Sequence, residues 1–194
     1  MHYNCLSRLS APLIPCTPFI VLFIGRTGSS FFCDALHQHL WIQSLPEEME
    51  RLRVAGKESQ TQWLTDFYMH NSRPALARGF KTKLWDVLDL PYFASFLINN
   101  NIRVIRLTRA NTLRAAISTI RSHELHKRIG FWNSTDPTVR LAPTQLDFTQ
   151  LDELIRNRER AHKQLSEFLA TTDPRHILSI SHEELTCNFQ NTMR

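Results

Sequence analysis

Residues 18–40 read PFIVLFIGRTGSSFFCDALHQHL, and the rest of the chain is arranged around them. Phe19 to Ile24 is a continuous apolar run that stops at Gly25. A short β-branched and aromatic run bounded by glycine predicts a buried strand. Beyond it Phe32, Ala35, Leu36, His39 and Leu40 recur at i, i+3, i+4, i+7 and i+8. That recurrence predicts an amphipathic helix with His39 on its inner face. Gly25-Arg26-Thr27-Gly28-Ser29-Ser30 is then a tight strand-to-helix loop.

Such a loop aims free backbone N–H groups and the positive helix end at one spot, which suits a phosphate or sulfate. Gly25 and Gly28 allow the tight path, Ser29 and Ser30 add hydroxyls, and Arg26 adds a fixed positive charge. The loop is not a Walker A sequence, because no Lys precedes its hydroxyl residue. An ordinary strand–turn–helix with a glycine-rich turn has the same outline.

The chain has 194 residues, 42% hydrophobic and 21% charged, as expected of one folded domain. A net charge of +5 favours anionic partners. The basic residues are scattered without a Lys/Arg block, which argues against nucleic acid. Cys5, Cys16, Cys33 and Cys187 show no C-x-x-C and no metal-type spacing, so a reducing, cytoplasmic setting is expected. Cys33 reads as a buried free thiol on the first helix. The Phe19–Ile24 run is too short for a transmembrane segment, and no signal-peptide pattern precedes it.

Residues 1–18 read as an irregular arm and 19–194 as a single α/β domain. Pro46 followed by Glu47 and Glu48 starts a helix. Another helix is predicted from Lys57 to Met69, then a short strand at Ala77–Thr82. A helix over Pro91–Asn99, a strand over Ile102–Thr108 and a helix from Asn111 to near Lys127 follow, the last with Leu113, Ala116, Ile117 and Ile120 inward. Residues 130–148 lack any period and contain Pro137 and Pro143, as a lid or binding loop would. Thr149-Gln150-Leu151-Asp152 opens a long helix to about Thr171. His176–Ile180 is a last strand, and a second capping box opens at Ser181. Alternating strands and helices imply a three-layer α/β/α fold with a central, mostly parallel sheet.

A second anion motif runs from Arg106 to Ser118. A strand ends, Arg109 stands at its carboxyl edge, a helix begins, and Ser118 lies nine positions past Arg109. Ligands of open α/β sheets bind at the carboxyl ends of strands, so both loops are expected at one crevice.

With both motifs in view, the chain resembles the sulfotransferase family, its carbohydrate and bacterial glycolipid branches most. Gly25 to Ser30 resembles the family's 5′-phosphosulfate loop, and Arg109 to Ser118 its 3′-phosphate motif. Gly79-Phe80-Lys81 and Ser181-His182-Glu183-Glu184-Leu185 are similar to two further family segments. The resemblance covers about Phe19 to Phe189 and implies a P-loop NTPase-like topology. It implies the co-substrate 3′-phosphoadenosine 5′-phosphosulfate (PAPS), no metal, and sulfuryl transfer to a hydroxyl or amine of a glycan or glycolipid. Arg26, Thr27, Gly28, Ser29 and Ser30 would hold the phosphosulfate, and Arg109 and Ser118 the 3′ phosphate. Three differences stand out. The Arg-to-Ser spacing of nine is that of the bacterial glycolipid branch, His182 replaces the family's late Tyr, and Arg194 comes soon after the last motif.

In-line sulfuryl transfer needs charge neutralisation, here by Arg26 and loop N–H groups, and a base for the acceptor proton. The resembled branch implies Glu47 as that base, with Glu48 or His37 as alternatives. His123 and His126 read as a solvated helix face and Asn133-Ser134-Thr135 as a chance sequon. Lys81 and Lys83 border the crevice if the Phe80 strand forms and otherwise read as surface lysines. Trp132 would either stack on a sugar or pin its loop. Two other readings are a kinase-like P-loop phosphotransferase and a non-catalytic adenosine-bisphosphate-binding module.

Overall fold

The computed structural model describes residues 15–69, 75–134, 136, 138–139, 141–143 and 145–187. Most of the expected N-terminal arm, Thr135 of the sequon and residues 188–194 lie outside these. In chain order the elements are β1 (Thr17–Phe23), α1 (Ser29–His37), β2 (Ile42–Leu45), α2 (Glu48–Leu52) and α3 (Lys57–Met69). β3 (Ala77–Thr82), α4 (Leu90–Asn99), β4 (Arg103–Thr108) and α5 (Thr112–Ile129) follow. α6 (Phe148–Leu169), β5 (Ile177–Ser181) and α7 (His182–Cys187) complete the described chain.

The strands form one sheet in the order β2-β3-β1-β4-β5, with β1 and β2 both parallel to β3. The arrangement is the expected three-layer α/β/α fold with a mostly parallel sheet. By contact density the chain divides into two compact units. One holds the described residues up to Leu22 with Ser30–Ile105, the other Phe23–Ser29 with those from Arg106 onward.

β1 is the middle strand of the sheet, and Ile20, Val21 and Leu22 are fully buried, as a continuous apolar run demands. Phe19 pairs with Gly79, where any Cβ would strike the Phe19 carbonyl and ring, so this pairing needs glycine. α3 stacks Trp63 on Phe67 at 5.0 Å, and both meet Phe80 edge-on. Buried Gln60 donates to the Met49 and Asp86 carbonyls, both at 2.7 Å, and accepts from Leu88 N–H at 2.9 Å. That side chain fixes α2 and the 84–86 turn against α3.

In the second unit α5 and α6 pack through Ala116, Ile120 and Leu151, flanked by Ile117, Leu154 and Ile155. Asn111 caps α5 by accepting from Arg114 N–H, and Gly130 ends it with a left-handed φ of 77°. Ser181 and Glu184 form the second capping box reciprocally, at 3.1 and 2.7 Å.

Several local expectations fail. α1 stops at His37 and turns, leaving His39 exposed and Leu40 90% exposed rather than inward. A tighter bond from His39 N–H to the Leu36 carbonyl closes that helix early. β2 falls where no strand was expected. It pairs residue by residue with β3 despite its four-residue length. α6 is capped by Asp147, which accepts from Thr149 and Gln150 N–H, so Thr149 lies inside the helix. Leu113 is 48% exposed, since it sits on the first turn of α5, on the solvent side.

Candidate anion-binding site

The loop between β1 and α1 has left-handed φ at Arg26 (67°) and Gly28 (83°), with Thr27 between them outside that region. Alternation of this kind lines up successive N–H groups in a concave nest. Gly28 also needs its bare Cα for space, because a Cβ would lie 3.0 Å from His182 Nδ1. Burial and the nearby Arg109 charge push the His182 pKa down.

Three arginines surround the loop. Arg26 donates from Nε to Ser118 Oγ at 2.9 Å and from Nη1 to Asn133 Oδ1 at 2.9 Å. Arg109 donates to the Arg26 carbonyl at 3.1 Å, and Arg158 on α6 to the Gly25 carbonyl at 2.6 Å. Burial lowers the pKa of Arg26 and brings Arg158 down to about 10, and the Arg109 charge adds to both effects. Glu183 accepts from the Ala110 and Asn111 N–H groups at 3.1 and 3.2 Å and so fixes the start of α5. Burial alone would raise its carboxyl, but those amides outweigh it and hold its pKa low.

Beside these groups opens a cavity of about 610 Å³, lined by Arg26, Arg109, Arg114, Arg121, Ser118 and Trp132, among others. No carboxylate lines it among the described residues. Arg114, Ser118 and Arg121 recur at i, i+4 and i+7 on α5 and so share one helix face. Trp132 stacks on His126 at 4.1 Å and meets His123 edge-on at 5.3 Å, so these histidines hold the Trp132 ring. The structure thus brings Arg26, Arg109 and Ser118 of the two motifs to one cavity. Arg114, Arg121 and Arg158 went unread in the sequence. Arg158 left one trace: it falls seven residues after Leu151, on the apolar stripe of Leu151, Leu154, Ile155 and Leu165.

A second polar cluster lies in the first unit. Lys81 donates to Ser30 Oγ at 2.8 Å and sits 3.3 Å from Glu47. Lys83 bonds Glu47 at 2.6 Å, Glu50 at 3.0 Å and Asp86 at 3.2 Å. Neither lysine is a surface residue: their side chains are only 8% and 14% exposed. Both are drawn in by β3 and by carboxylates distant in sequence. Burial alone would raise the Glu47 carboxyl, but Lys83 and Lys81 outweigh it and hold its pKa below the usual range. Glu47, Glu50 and Asp86 offer oxygens within 4.8 Å of one another, a spacing suited to a metal, and the Lys83 ammonium reaches all three. Glu48 pairs instead with Arg51 at 2.7 Å, and His37 is exposed at the end of α1.

No family model matches the chain, and no curated protein matches it in sequence. Solved structures match it in fold. The sulfotransferase domain from the curacin biosynthetic pathway superposes with a TM-score of 0.59 at 15% identity, over 93% of this chain and 72% of that one. A sulfotransferase from Alicyclobacillus acidocaldarius gives 0.56 at 18% identity, over 92% and 78% respectively. Mouse sulfotransferase SULT7A1, solved in complex with PAP, gives 0.54 at 14% identity. That match covers 91% of this chain, which spans 55% of the mouse protein. No helix among the described residues is long and apolar enough to cross a membrane. The likenesses agree on one architecture: the chain has the sulfotransferase fold.

Proposed function

We propose that the protein is a sulfotransferase that moves the sulfuryl group of PAPS to a hydroxyl or amine of a carbohydrate or glycolipid. The observation that carries this reading is the four-arginine cavity with no described carboxylate in its lining, beside a loop of nest geometry. Strand order 2-3-1-4-5, with the loop leaving β1, supports a P-loop NTPase-like topology. The mouse protein of the same fold was solved with PAP, which supports a bisphosphate ligand.

In this reading Thr27, Gly28, Ser29 and Ser30 hold the 5′ phosphosulfate through N–H and hydroxyl groups. Arg109 and Ser118 hold the 3′ phosphate, and Arg114 and Arg121 add charge on the same helix face. Arg26, bonded to Ser118, contacts both ends of the donor. The acceptor oxygen attacks sulfur as the S–O bond to the 5′ phosphate breaks, leaving adenosine 3′,5′-bisphosphate. Glu47 takes the acceptor proton.

Calorimetry with adenosine 3′,5′-bisphosphate and with ATP, each with and without Mg²⁺, tests this. Metal-independent binding that favours the bisphosphate is expected, and tighter Mg²⁺-dependent ATP binding would replace the reading with the kinase-like one. Arg109→Ala and Arg121→Ala should each weaken the bisphosphate by ~10–100-fold, the range for a charge-assisted bond, and adenosine 5′-monophosphate far less. Equal losses for both nucleotides would remove the 3′ assignment.

A further inference from the structure

Arg158 stands outside the cavity lining and is 6% exposed. A guanidinium at that depth is costly unless its donors are satisfied. Its Nη1 bonds the Gly25 carbonyl at 2.6 Å, while Nε and Nη2 are buried with no hydrogen-bond partner among the described residues. A single donor to one carbonyl does not need a guanidinium, so a charged group here is poorly explained by packing alone.

The loop geometry supplies a reason. The described peptide planes are trans, so a carbonyl and the N–H of the next residue point in opposite directions. Arg158 holds the Gly25 carbonyl, which sends the Arg26 N–H the other way. Arg109 holds the Arg26 carbonyl, which does the same for the Thr27 N–H. Two guanidiniums therefore fix two successive peptide planes at the start of the nest. They also add positive potential behind it, in surroundings where charge is weakly screened.

We propose that Arg158 is a positioning residue for the anion-binding loop, acting through the Gly25 carbonyl to present the Arg26 N–H to the anion. This rests on the reading above that the loop holds the 5′ end of the donor. Burial first and the Arg109 charge second lower the Arg158 pKa to about 10, against a smaller opposing effect of Glu183. Arg109 also holds a loop carbonyl, that of Arg26, but it lines the cavity and is assigned to the 3′ phosphate as well, whereas Arg158 acts through the loop alone.

The test compares the full-length wild type with Arg158→Gln and Arg158→Lys by calorimetry. The probes are adenosine 3′,5′-bisphosphate, adenosine 5′-monophosphate and inorganic pyrophosphate. Arg158→Gln should weaken all three by ~10–100-fold, the range for loss of a charged hydrogen bond and its field, with no change in the ratio between the nucleotides. Arg158→Lys keeps the charge but not the planar fork, so a partial loss of ~3–10-fold is expected. Hydrogen exchange should quicken in the 24–29 segment of both variants. A lower melting temperature with unchanged affinities in the folded protein would overturn the proposal, because that is a purely structural role. Should Arg158→Gln fail to fold, Arg158→Lys decides, and unchanged affinity with unchanged exchange overturns it. Wild type that binds pyrophosphate but no adenosine bisphosphate would sink the donor assignment alone. The pyrophosphate arm then still decides on Arg158, and equal binding by wild type and variants, or none by wild type, overturns it.

Discussion

Glu47→Gln is expected to lower single-turnover sulfuryl transfer by about 10²–10⁴-fold, the usual worth of a general base, while donor affinity holds. Glutamine keeps the shape and one acceptor for Lys83 but has no basicity. In the folded protein Lys83 and Lys81 keep the carboxyl ionised below the ordinary range, so the wild-type rate should not fall until the solution is more acidic than that range. The sign follows from the partners: they favour the charged form, so the basic form is lost only as pH falls through the lowered pKa. Lys83→Met removes the closest cation and leaves only Lys81 as a cation to offset burial, so the acid limb of the rate profile should move upward. Near-normal turnover in Glu47→Gln would transfer the role to Glu48 or His37, and an unmoved limb in Lys83→Met would detach it from the lysine.

Arg26→Ala should reduce turnover per donor concentration by ~10²–10³-fold, the scale for removing one transition-state donor. It should weaken adenosine 3′,5′-bisphosphate and adenosine 5′-monophosphate together. The reason is geometric: Arg26 is a loop residue whose side chain bonds Ser118 and Asn133, so its removal strips charge and frees the 131–134 segment at once. Arg109→Ala, which also frees the Arg26 carbonyl, should cost the bisphosphate more than the monophosphate. Stopped transfer with intact donor affinity would restrict Arg26 to the transition state. Intact affinity with intact transfer would take the loop out of the site.

β1 and its loop were legible because a six-residue apolar run ending in glycine has few other solutions. The α5 motif was legible for the same kind of reason, through the Asn111 cap and the Arg109-to-Ser118 spacing. β2 was not, because Ile42-Gln43-Ser44-Leu45 carries little strand preference and owes its form to pairing with β3. Lys81 looked like a surface lysine because nothing local shows that Ser30 and Glu47 will meet it. Arg158 hid among the charges of α6, although its place on the apolar stripe marks it as the arginine that turns inward. His39 misled for the opposite reason: it kept the helical period after the helix had ended.

The arginines around the loop carry a consequence for the protein in solution. Arg109 repels both Arg26 and Arg158, and Glu183 offsets only part of that repulsion at Arg158. Like charges held together oppose the folded state most where ions are scarce. Resistance to urea should therefore rise with ionic strength, opposite to a protein held by surface ion pairs. It should rise further in sulfate than in chloride at matched ionic strength when the loop takes the anion. A flat salt series would show that the folded protein carries no such repulsion. Where sulfate stabilises beyond chloride, the abundance of the protein in a cell becomes tied to the supply of the anion it holds.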